Sequence, residues 1–291
     1  MKPRDRNLCS RGAVSRLGMA LLCGVMLAGC QSPRQSLQDL AGRYGQQLEV
    51  LPTQPFPLLL GTPAVVRRSS RLRIYLEGDG RAWATPRQPS VDPSPRNLLV
   101  ARLAFDDSTP SLYLSRPCQF VSASGCTQNV WTNQRFSQEV VDSLSQALDQ
   151  LKNRYGNRGF ELVGYSGGAA LALLLAAQRN DIRLVQTIAG NLSPALWAQM
   201  VGLTPISGSL DPLHYRDKLA SLPQRHLVGE RDRIVPVRLA ELYLQTLINL
   251  ACIQLHRIPE ASHDKGWETA WKQWRDRPLL SQCSNQLSVI D

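Results

Sequence analysis

Long hydrophobic runs, blocks of like charge and internal repeats are all missing from this sequence of 291 residues. Its only apolar run of note covers residues 17–29. Thirteen residues are too few to cross a bilayer about 30 Å thick at about 1.5 Å per residue, which excludes a polytopic membrane protein. A hydrophobic fraction of 43% excludes a chain that is disordered throughout. Without repeats or an interior linker, the sequence favours one folded domain.

The net charge of the chain is modest, and its charged residues are dispersed along the sequence. The sequence carries 33 Lys and Arg against 23 Asp and Glu, a formal net charge of +10. Because the arginines are scattered, we expect no nucleic-acid partner. Weak attraction to anionic lipid headgroups is the interaction that this charge favours.

The N-terminal thirty residues combine a basic stretch, an apolar run and small residues before a cysteine. The apolar run ends in Leu-Ala-Gly-Cys at residues 27–30. This is the anatomy of a secretory signal peptide, and its last four residues resemble the bacterial lipobox, whose cysteine is acylated. We therefore expect residues 1–29 to be a signal peptide and Cys30 to carry the lipid. Residues 30–44 should form a tether, and residues 45–291 one folded domain.

The residue after the lipidated cysteine suggests a destination. An Asp there is the usual signal for retention in the inner membrane, and this chain has Gln31 instead. We therefore expect the periplasmic face of the outer membrane. Removal of residues 1–29 takes away five basic residues and one acidic residue, so the formal net charge falls from +10 to +6.

Four of the seven cysteines remain after export and lipidation, an even number in an oxidising envelope. Three pairings are possible. Local spacing favours Cys118 with Cys126 and Cys252 with Cys283. No Cys-x-x-Cys or His-x-x-x-His spacing accompanies them, so we expect no metal site.

Strand and helix patterns alternate along the rest of the chain. Apolar periodicity predicts a strand over residues 71–76, a helix over 136–155, a strand over 159–163 and a buried helix over 167–178. Further strands and helices follow to residue 274. Such alternation is typical of the α/β class, with a mostly parallel central sheet and helices on both faces. Residues 190–223 carry only short helical patterns, so any cap is small.

The strongest chemical signal is Gly-Tyr-Ser-Gly-Gly at residues 164–168. As a bare pattern, G-x-S-x-G is weak, because roughly one chain of this length in ten should contain it by chance. Its context is more specific: a predicted strand precedes it and a predicted helix follows it, as in a nucleophile elbow. Ser166 would then be the nucleophile, with Gly164 and Gly168 allowing the backbones to approach. A plain glycine turn is the alternative reading.

A serine nucleophile needs a histidine base. All four histidines follow Ser166 in the chain: His214, His226, His256 and His263. Two of them, His226 and His256, fall in predicted strands, where sheet packing is the ordinary explanation, and His214 lies in a Pro-bounded loop. His263 alone follows the final strand, where this mechanism requires the base.

The histidine in turn needs a carboxylate to orient it. Asp232 follows a predicted strand and precedes a helix, at the edge of the sheet where α/β sites lie. Glu230 is the reserve choice, and Asp264 is adjacent to His263 and should point elsewhere. A turn carboxylate paired with a neighbouring arginine is the alternative reading of Asp232.

Together these motifs resemble the α/β-hydrolase fold, and with the lipobox they are similar to α/β-hydrolase lipoproteins of Gram-negative envelopes. The resemblance rests on the serine motif, on Asp232 before Val-Pro, on His263 after the last strand and on Glu-Gly-Asp-Gly at residues 77–80. It implies a serine esterase that forms an acyl-enzyme, without a cofactor. Its substrate would be a small-molecule or lipid ester.

The resemblance also implies an oxyanion hole. The N–H of Gly167, at the start of a helix, would be one donor, and the second would come from residues 77–80. Asp79 is the first choice for that donor and Gly80 the next. Relatives often have His-Gly in this loop, whereas Glu77 stands in the His position here. Two carboxylates would thus lie near a site for negative charge, and the direction of their side chains becomes decisive.

Two other functions stay open at this point. The same fold carries thioesterases and peptidases, so the motifs alone do not name the bond that is cleaved. A non-catalytic lipoprotein could also keep the fold as a binding platform. The oligomeric state is likewise open.

The lipobox generates the first prediction. Cys30→Ser removes the thiol that accepts the lipid, so the variant should move from the detergent phase to the aqueous phase on detergent partitioning. Unchanged partitioning would show that another element holds the protein in the membrane.

Overall fold

An eight-stranded sheet forms the centre of residues 31–279, the part of the chain that the computed structural model describes. The ten strands of this part are β1 (Gln46–Leu51), β2 (Leu58–Pro63), β3 (Arg71–Leu76), β4 (Trp83–Thr85), β5 (Gln88–Pro89), β6 (Ser111–Leu114), β7 (Gly159–Tyr165), β8 (Ile182–Ile188), β9 (Gln224–Gly229) and β10 (Ile253–Ile258). The order across the large sheet is β1-β2-β6-β3-β7-β8-β9-β10, while β4 and β5 form a separate two-stranded sheet.

Helices connect these strands. They are α1 (Pro33–Arg43), α2 (Leu99–Phe105), α3 (Gln128–Trp131), α4 (Gln138–Tyr155), α5 (Gly167–Gln178), α6 (Pro194–Met200), a 3-10 helix (Pro212–Tyr215), α7 (Arg216–Leu219), α8 (Val237–Gln245) and α9 (Trp267–Trp274). Every residue of α5 from 167 to 177 is buried, as its apolar sequence predicts.

The predicted mostly parallel sheet is confirmed. The six strands from β6 to β10 in the sheet order are all parallel, and β2 runs antiparallel to its two neighbours. Neighbouring residues of a strand point to opposite faces, so Ile74 joins the core beneath α4 and α5 while Tyr75 joins the core beneath α1, α2 and α9. The carboxyl ends of β3, β7 and β9 therefore lie along one edge of the sheet.

The expected tether over residues 30–44 needs correction. Residues 33–43 form α1, and Leu37, Leu40 and Ala41 on this helix are buried. Their spacing of three and one places them on one helical face, which packs into the same core as Tyr75. The folded body thus begins at Pro33.

The segment between β8 and β9 contains only α6, α7 and the 3-10 helix, of 7, 4 and 4 residues. These elements are too short to form a second helical layer. The small cap expected from the sequence is therefore what the structure has. Within residues 31–279, no helix is long and apolar enough to cross a membrane.

Buried polar side chains tie the sheet to α9. Arg73 Nε lies 2.8 Å from Glu161 Oε1, which also accepts from Gln186 Nε2 at 2.6 Å. Arg225 Nη1 donates to Gln186 Oε1 at 3.0 Å and to the carbonyl of Trp274 at 2.7 Å. Because each charge has a partner, this row tolerates burial. It fixes the C-terminal end of the helix that follows His263.

One of the two expected disulfides lies in the described part of the chain. Cys118 and Cys126 are bonded, with their Cα atoms 5.6 Å apart. Cys283 lies outside the described residues, as does Cys30, so the pairing of Cys252 with Cys283 stays a prediction.

The cysteine assignment is checked by peptide mapping without reduction. Protein purified from an oxidising compartment should yield one peptide pair joined through Cys118 and Cys126 and a second joined through Cys252 and Cys283. Crossed pairs, or free thiols at all four positions, would contradict the assignment.

Candidate active site

Ser166 lies at a sharp turn, the Ser166 turn (residues 164–168), between β7 and α5. Its backbone adopts φ 51° and ψ −122°, a conformation that L-residues rarely hold. A Cβ atom at Gly164 would lie 2.5 Å from the carbonyl oxygen of Gly168, and one at Gly168 would lie 2.5 Å from that of Leu76. Both positions therefore require glycine, because the backbones of the turn, α5 and β3 are in direct contact.

A row of hydrogen bonds joins Ser166 to two distant residues. His263 Nε2 lies 3.1 Å from Ser166 Oγ, and His263 Nδ1 lies 2.8 Å from Asp232 Oδ2. The three side chains come from the ends of β7, β9 and β10, as the sequence order anticipates. Since Asp232 accepts the Nδ1 hydrogen, Nε2 is left as the acceptor that faces the serine hydroxyl.

Asp232 is held in place from its other side. Its Oδ1 accepts hydrogen bonds from the backbone N–H groups of Ile234 and Val235, both at 2.8 Å. The side chain is fully buried. Glu230, the reserve choice for the acid, is exposed and does not contact the histidine. The structure therefore brings Asp232, and not Glu230, to His263.

The loop that carries His263 is fixed through its backbone. The carbonyl of His263 accepts from Tyr165 Oη at 2.9 Å and from Trp267 Nε1 at 3.0 Å. One donor lies beside Ser166 and the other begins α9. The imidazole position is thus set by both the Ser166 turn and α9.

The other histidines are accounted for without a role at this site. His226 is buried in β9, its ring bonds to Thr187 and Gln224, and burial lowers its pKa to about 3. His256 stacks on Trp274, with ring centroids 3.7 Å apart. His214 is exposed in the 3-10 helix. None of them contacts Ser166 within residues 31–279.

The oxyanion loop, residues 77–80, lies against the start of α5. The N–H of Gly78 donates to Glu77 Oε1 at 2.9 Å, and its carbonyl accepts from Gln119 Nε2 at 2.9 Å. By contrast, the N–H groups of Asp79, Gly80 and Gly167 have no hydrogen-bond partner within the described chain. These are the three donors that the sequence singles out. Gly167 lies in the Ser166 turn itself, and Asp79 and Gly80 lie in the oxyanion loop that packs against it.

The side chain of Glu77 points away from these three N–H donors. The side chain is buried, and its Oε2 accepts from Tyr113 Oη at 2.9 Å on β6. Burial raises the pKa of Glu77 to about 7, although the hydrogen bonds from Gly78 and Tyr113 and the charge of Arg116 oppose that rise. The carboxyl that replaces the usual histidine therefore supports the loop from the interior.

Asp79 belongs to a group that the sequence analysis did not find, the arginine cluster (Asp79, Arg116 and Arg135). Arg116 Nη1 bonds to Asp79 Oδ1, and Arg135 Nε lies 3.3 Å from Asp79 Oδ2. Burial alone raises the pKa of Asp79, but the two guanidinium groups outweigh it and the pKa lies below its ordinary value. The side chain of Asp79 thus lies beside two positive charges, which offset its own negative charge.

Comparison with known proteins gives a family and a fold. The model of the serine hydrolase family FSH1 matches residues 115–266, which include Ser166, Asp232 and His263. No curated protein matches the chain in sequence.

Solved structures of esterases share the fold. An esterase of Pyrococcus furiosus superposes with a TM-score of 0.58 at 14% identity and covers 89% of this chain and 95% of its own. Est1E of Butyrivibrio proteoclasticus bound to ferulic acid has a TM-score of 0.57 at 14% identity, with 77% and 95% covered. A cold-adapted esterase from an Arctic intertidal metagenomic library has a TM-score of 0.55 at 15% identity, with 79% and 89% covered. Identities this low establish the fold alone.

Glu77 generates a prediction about stability. Because its pKa is about 7 in the folded protein and 4.5 in the reference state, the folded protein keeps a proton that the unfolded chain releases between these values. The free energy of unfolding should therefore fall as pH rises through this window. Glu77→Gln cannot ionise, so from pH 4 to pH 8 the variant should gain about 3 kcal/mol relative to the unmodified protein.

Urea unfolding at both pH values measures this gain. Glu230→Gln, which removes an exposed carboxylate at the same edge of the sheet, is the matched control. A difference between Glu77→Gln and the unmodified protein that stays constant with pH would contradict the prediction.

Proposed function

Because the chain belongs to the FSH1 family of serine hydrolases, we propose that it is a carboxylic ester hydrolase in which Ser166, His263 and Asp232 form a catalytic triad. The observation that carries the proposal is the continuous row of hydrogen bonds from Ser166 Oγ through His263 to Asp232. A serine at its ordinary acidity is a poor nucleophile, and a neutral imidazole at hydrogen-bond distance removes that obstacle.

Acylation follows from this geometry. His263 Nε2 accepts the hydroxyl proton as Ser166 Oγ bonds to the ester carbonyl carbon. Asp232 stabilises the imidazolium that forms and does not itself take the proton. His263 then gives the proton to the departing alkoxide, so an alcohol leaves and the acyl group stays on Ser166. Two hydrogen bonds from the backbone N–H groups of Ile234 and Val235 keep Asp232 in the orientation that this step needs.

The negative charge of the tetrahedral intermediate falls on the carbonyl oxygen. The N–H of Gly167 at the start of α5 and the N–H of Asp79 or Gly80 supply hydrogen bonds to it, since none of them is used elsewhere in the described chain. The partial positive charge at the helix start adds to the effect. The rigid support of Gly78 keeps the loop donors in place before substrate binds.

Deacylation repeats the sequence with water. His263 Nε2 accepts a proton from water as the hydroxide oxygen bonds to the acyl carbon. The imidazolium then returns a proton to Ser166 Oγ, and a carboxylic acid leaves. No other reactant is required.

We propose that the enzyme is anchored to the cell envelope through a lipid on Cys30, on the periplasmic face of the outer membrane. The support is the lipobox-like sequence at residues 27–30 and the residue that follows it. Because the folded body begins at Pro33, the link to the lipid would be only residues 30–32. The enzyme would therefore lie close to the membrane surface.

The elements between β8 and β9 favour small or peripheral esters as substrates. A long acyl chain needs a deep apolar cover, and α6, α7 and the 3-10 helix are too short to provide one. This argument concerns size and leaves the alcohol part of the substrate open.

The triad is tested by substitution, with a short-chain 4-nitrophenyl ester as substrate. Ser166→Ala and His263→Ala should each lower kcat by about 10⁴ or more, and the double variant should lose little beyond the worse single one, since the two act as a unit. Asp232→Asn should have a comparable or milder effect. A fluorophosphonate probe should label the unmodified protein and leave Ser166→Ala unlabelled.

The matched controls come from the same chain. His214→Ala removes an exposed histidine and Glu230→Gln an exposed carboxylate two residues from Asp232, so both should keep full activity. If Glu230→Gln loses esterase activity while Asp232→Asn keeps it, the acid of the triad has been assigned wrongly. Equal labelling of the unmodified protein and Ser166→Ala, or an active His263→Ala, would refute the mechanism.

A further inference from the structure

The side chain of Arg135 is largely buried and makes no hydrogen bond to residues 31–279. The side chain is 6% exposed, and Nε is a buried donor without a hydrogen-bond acceptor in the described chain. Neither terminal nitrogen donates to any residue between 31 and 279. Its nearest carboxylate oxygen belongs to Asp79, 3.3 Å from Nε. A guanidinium has five N–H donors, so an arginine buried to this degree ordinarily satisfies several of them.

Arg135 is joined to the Ser166 site through Asp79, whose Oδ2 lies 3.3 Å from Arg135 Nε. A Cβ atom built on Gly167 would lie 2.0 Å from Asp79 Oδ1 and 2.9 Å from Arg116 Nη1. Asp79 and Arg116 therefore pack directly on Gly167, the residue that follows Ser166, and Arg135 contacts Asp79 from the other side of its carboxylate. Asp79 is also close enough to His263 for the imidazole to act on its pKa.

Trp197 connects Arg135 to the loop that carries Asp232. The Cζ atom of Arg135 lies 5.5 Å from the ring centre of Trp197, and Trp197 Nε1 donates to the carbonyl of Ile234 at 2.7 Å. The N–H of Ile234 in turn holds Asp232. Arg135 and Trp197 thus stand on the side of the site that runs from the oxyanion loop to the loop of Asp232. Trp197 is partly exposed, so this side is open to solvent.

The cluster carries more positive than negative charge. Arg116 is used: it bonds to Asp79, and its Nη2 donates to the carbonyl of Arg135. One carboxylate is therefore shared between two guanidinium groups, and Glu77 is directed to Tyr113 in the interior. A largely buried guanidinium that only shares a carboxylate is costly unless a further group of opposite charge satisfies it.

We propose that Arg135 is a specificity-determining residue that binds a carboxylate of the substrate, so that the preferred substrates are esters bearing a carboxylate near the scissile bond. This inference rests on the proposed esterase function. A carboxylate accepts two hydrogen bonds from a guanidinium in a forked geometry, which fits the unused donors of Arg135. Arg116 already uses Nη1 to hold Asp79 and Nη2 to bond the carbonyl of Arg135, so Arg135 is the arginine assigned to the ligand.

Pairs of esters that differ only in charge test the proposal. On the acyl side, mono-4-nitrophenyl esters of succinic to adipic acid are compared with 4-nitrophenyl esters of neutral acids of equal carbon number. On the alcohol side, 4-carboxyphenyl acetate is compared with 4-carbamoylphenyl acetate. Each rate is corrected with Ser166→Ala for spontaneous hydrolysis. In at least one series, kcat/KM should favour the carboxylate about tenfold to a hundredfold, as for a hydrogen bond between charged groups.

Three variants show whether Arg135 causes the preference. Arg135→Gln should reduce the ratio of kcat/KM for charged and neutral esters to about one, and Arg135→Lys should give an intermediate ratio. Asp79→Asn removes the competing carboxylate, so the ratio should rise. Arg238→Gln, which removes an exposed arginine on α8, is the control for net charge and should keep the ratio of the unmodified protein.

The outcomes separate this inference from the function on which it rests. Absence of fluorophosphonate labelling at Ser166 would refute both. Labelling together with a ratio near one in both series would refute the carboxylate site alone. A high ratio that Arg135→Gln leaves unchanged, or an equal loss for charged and neutral esters, would assign Arg135 a structural role. Should Arg135→Gln not fold, the ratios of the unmodified protein, Arg135→Lys and Asp79→Asn still decide.

Discussion

Direct contact between the backbones of β3, β7 and α5 is the constraint on which the rest of the site depends. At Gly168 the helix touches the carbonyl oxygens of residues 76 and 77, and no side chain fits between them. This contact brings the oxyanion loop, at the end of β3, against the first N–H groups of α5. It also holds Ser166 in a conformation with positive φ, which only a surrounding structure that is rigid can maintain. One backbone contact therefore positions both the proposed nucleophile and the proposed oxyanion donors.

The other half of the site depends on the sheet. Parallel strands place their carboxyl ends along one edge, so residues that follow β7, β9 and β10 meet although they are far apart in the chain. Position after a strand was consequently sufficient to select His263 among four histidines. Both Glu230 and Asp232 follow β9, and only the contact with His263 separates them. Two of the other histidines, His226 and His256, lie within strands, where the sequence places them. Local patterns together with one rule about strand direction predicted the class of fold and this row of residues.

What the sequence did not reveal depends on contacts between distant parts of the chain. The arginine cluster joins residues 79, 116 and 135, which lie in three different loops with no periodic pattern, and no rule of strand direction brings them together. For Glu77, the sequence shows a carboxyl at a sensitive place but not that Tyr113 draws it inward. The helix α1 was different, because the spacing of Leu37, Leu40 and Ala41 was visible and the polar residues around them suggested a tether. The polar composition of this segment therefore led to the prediction of a tether, although its three apolar residues form one face of a helix.

The disulfide between Cys118 and Cys126 gives the two halves of the site different sensitivities to oxidation. It closes the loop that follows Arg116 and contains Gln119, the residues that hold Asp79 and the carbonyl of Gly78. Within residues 31–279, no side-chain hydrogen bond or ion pair joins Ser166, His263 or Asp232 to that loop. Reducing conditions would therefore loosen the support of the proposed oxyanion donors and leave the row from Ser166 to Asp232 intact. Under the proposed export, the row from Ser166 to Asp232 would form before the disulfide, and the support of residues 77–80 would be completed only in the oxidising compartment.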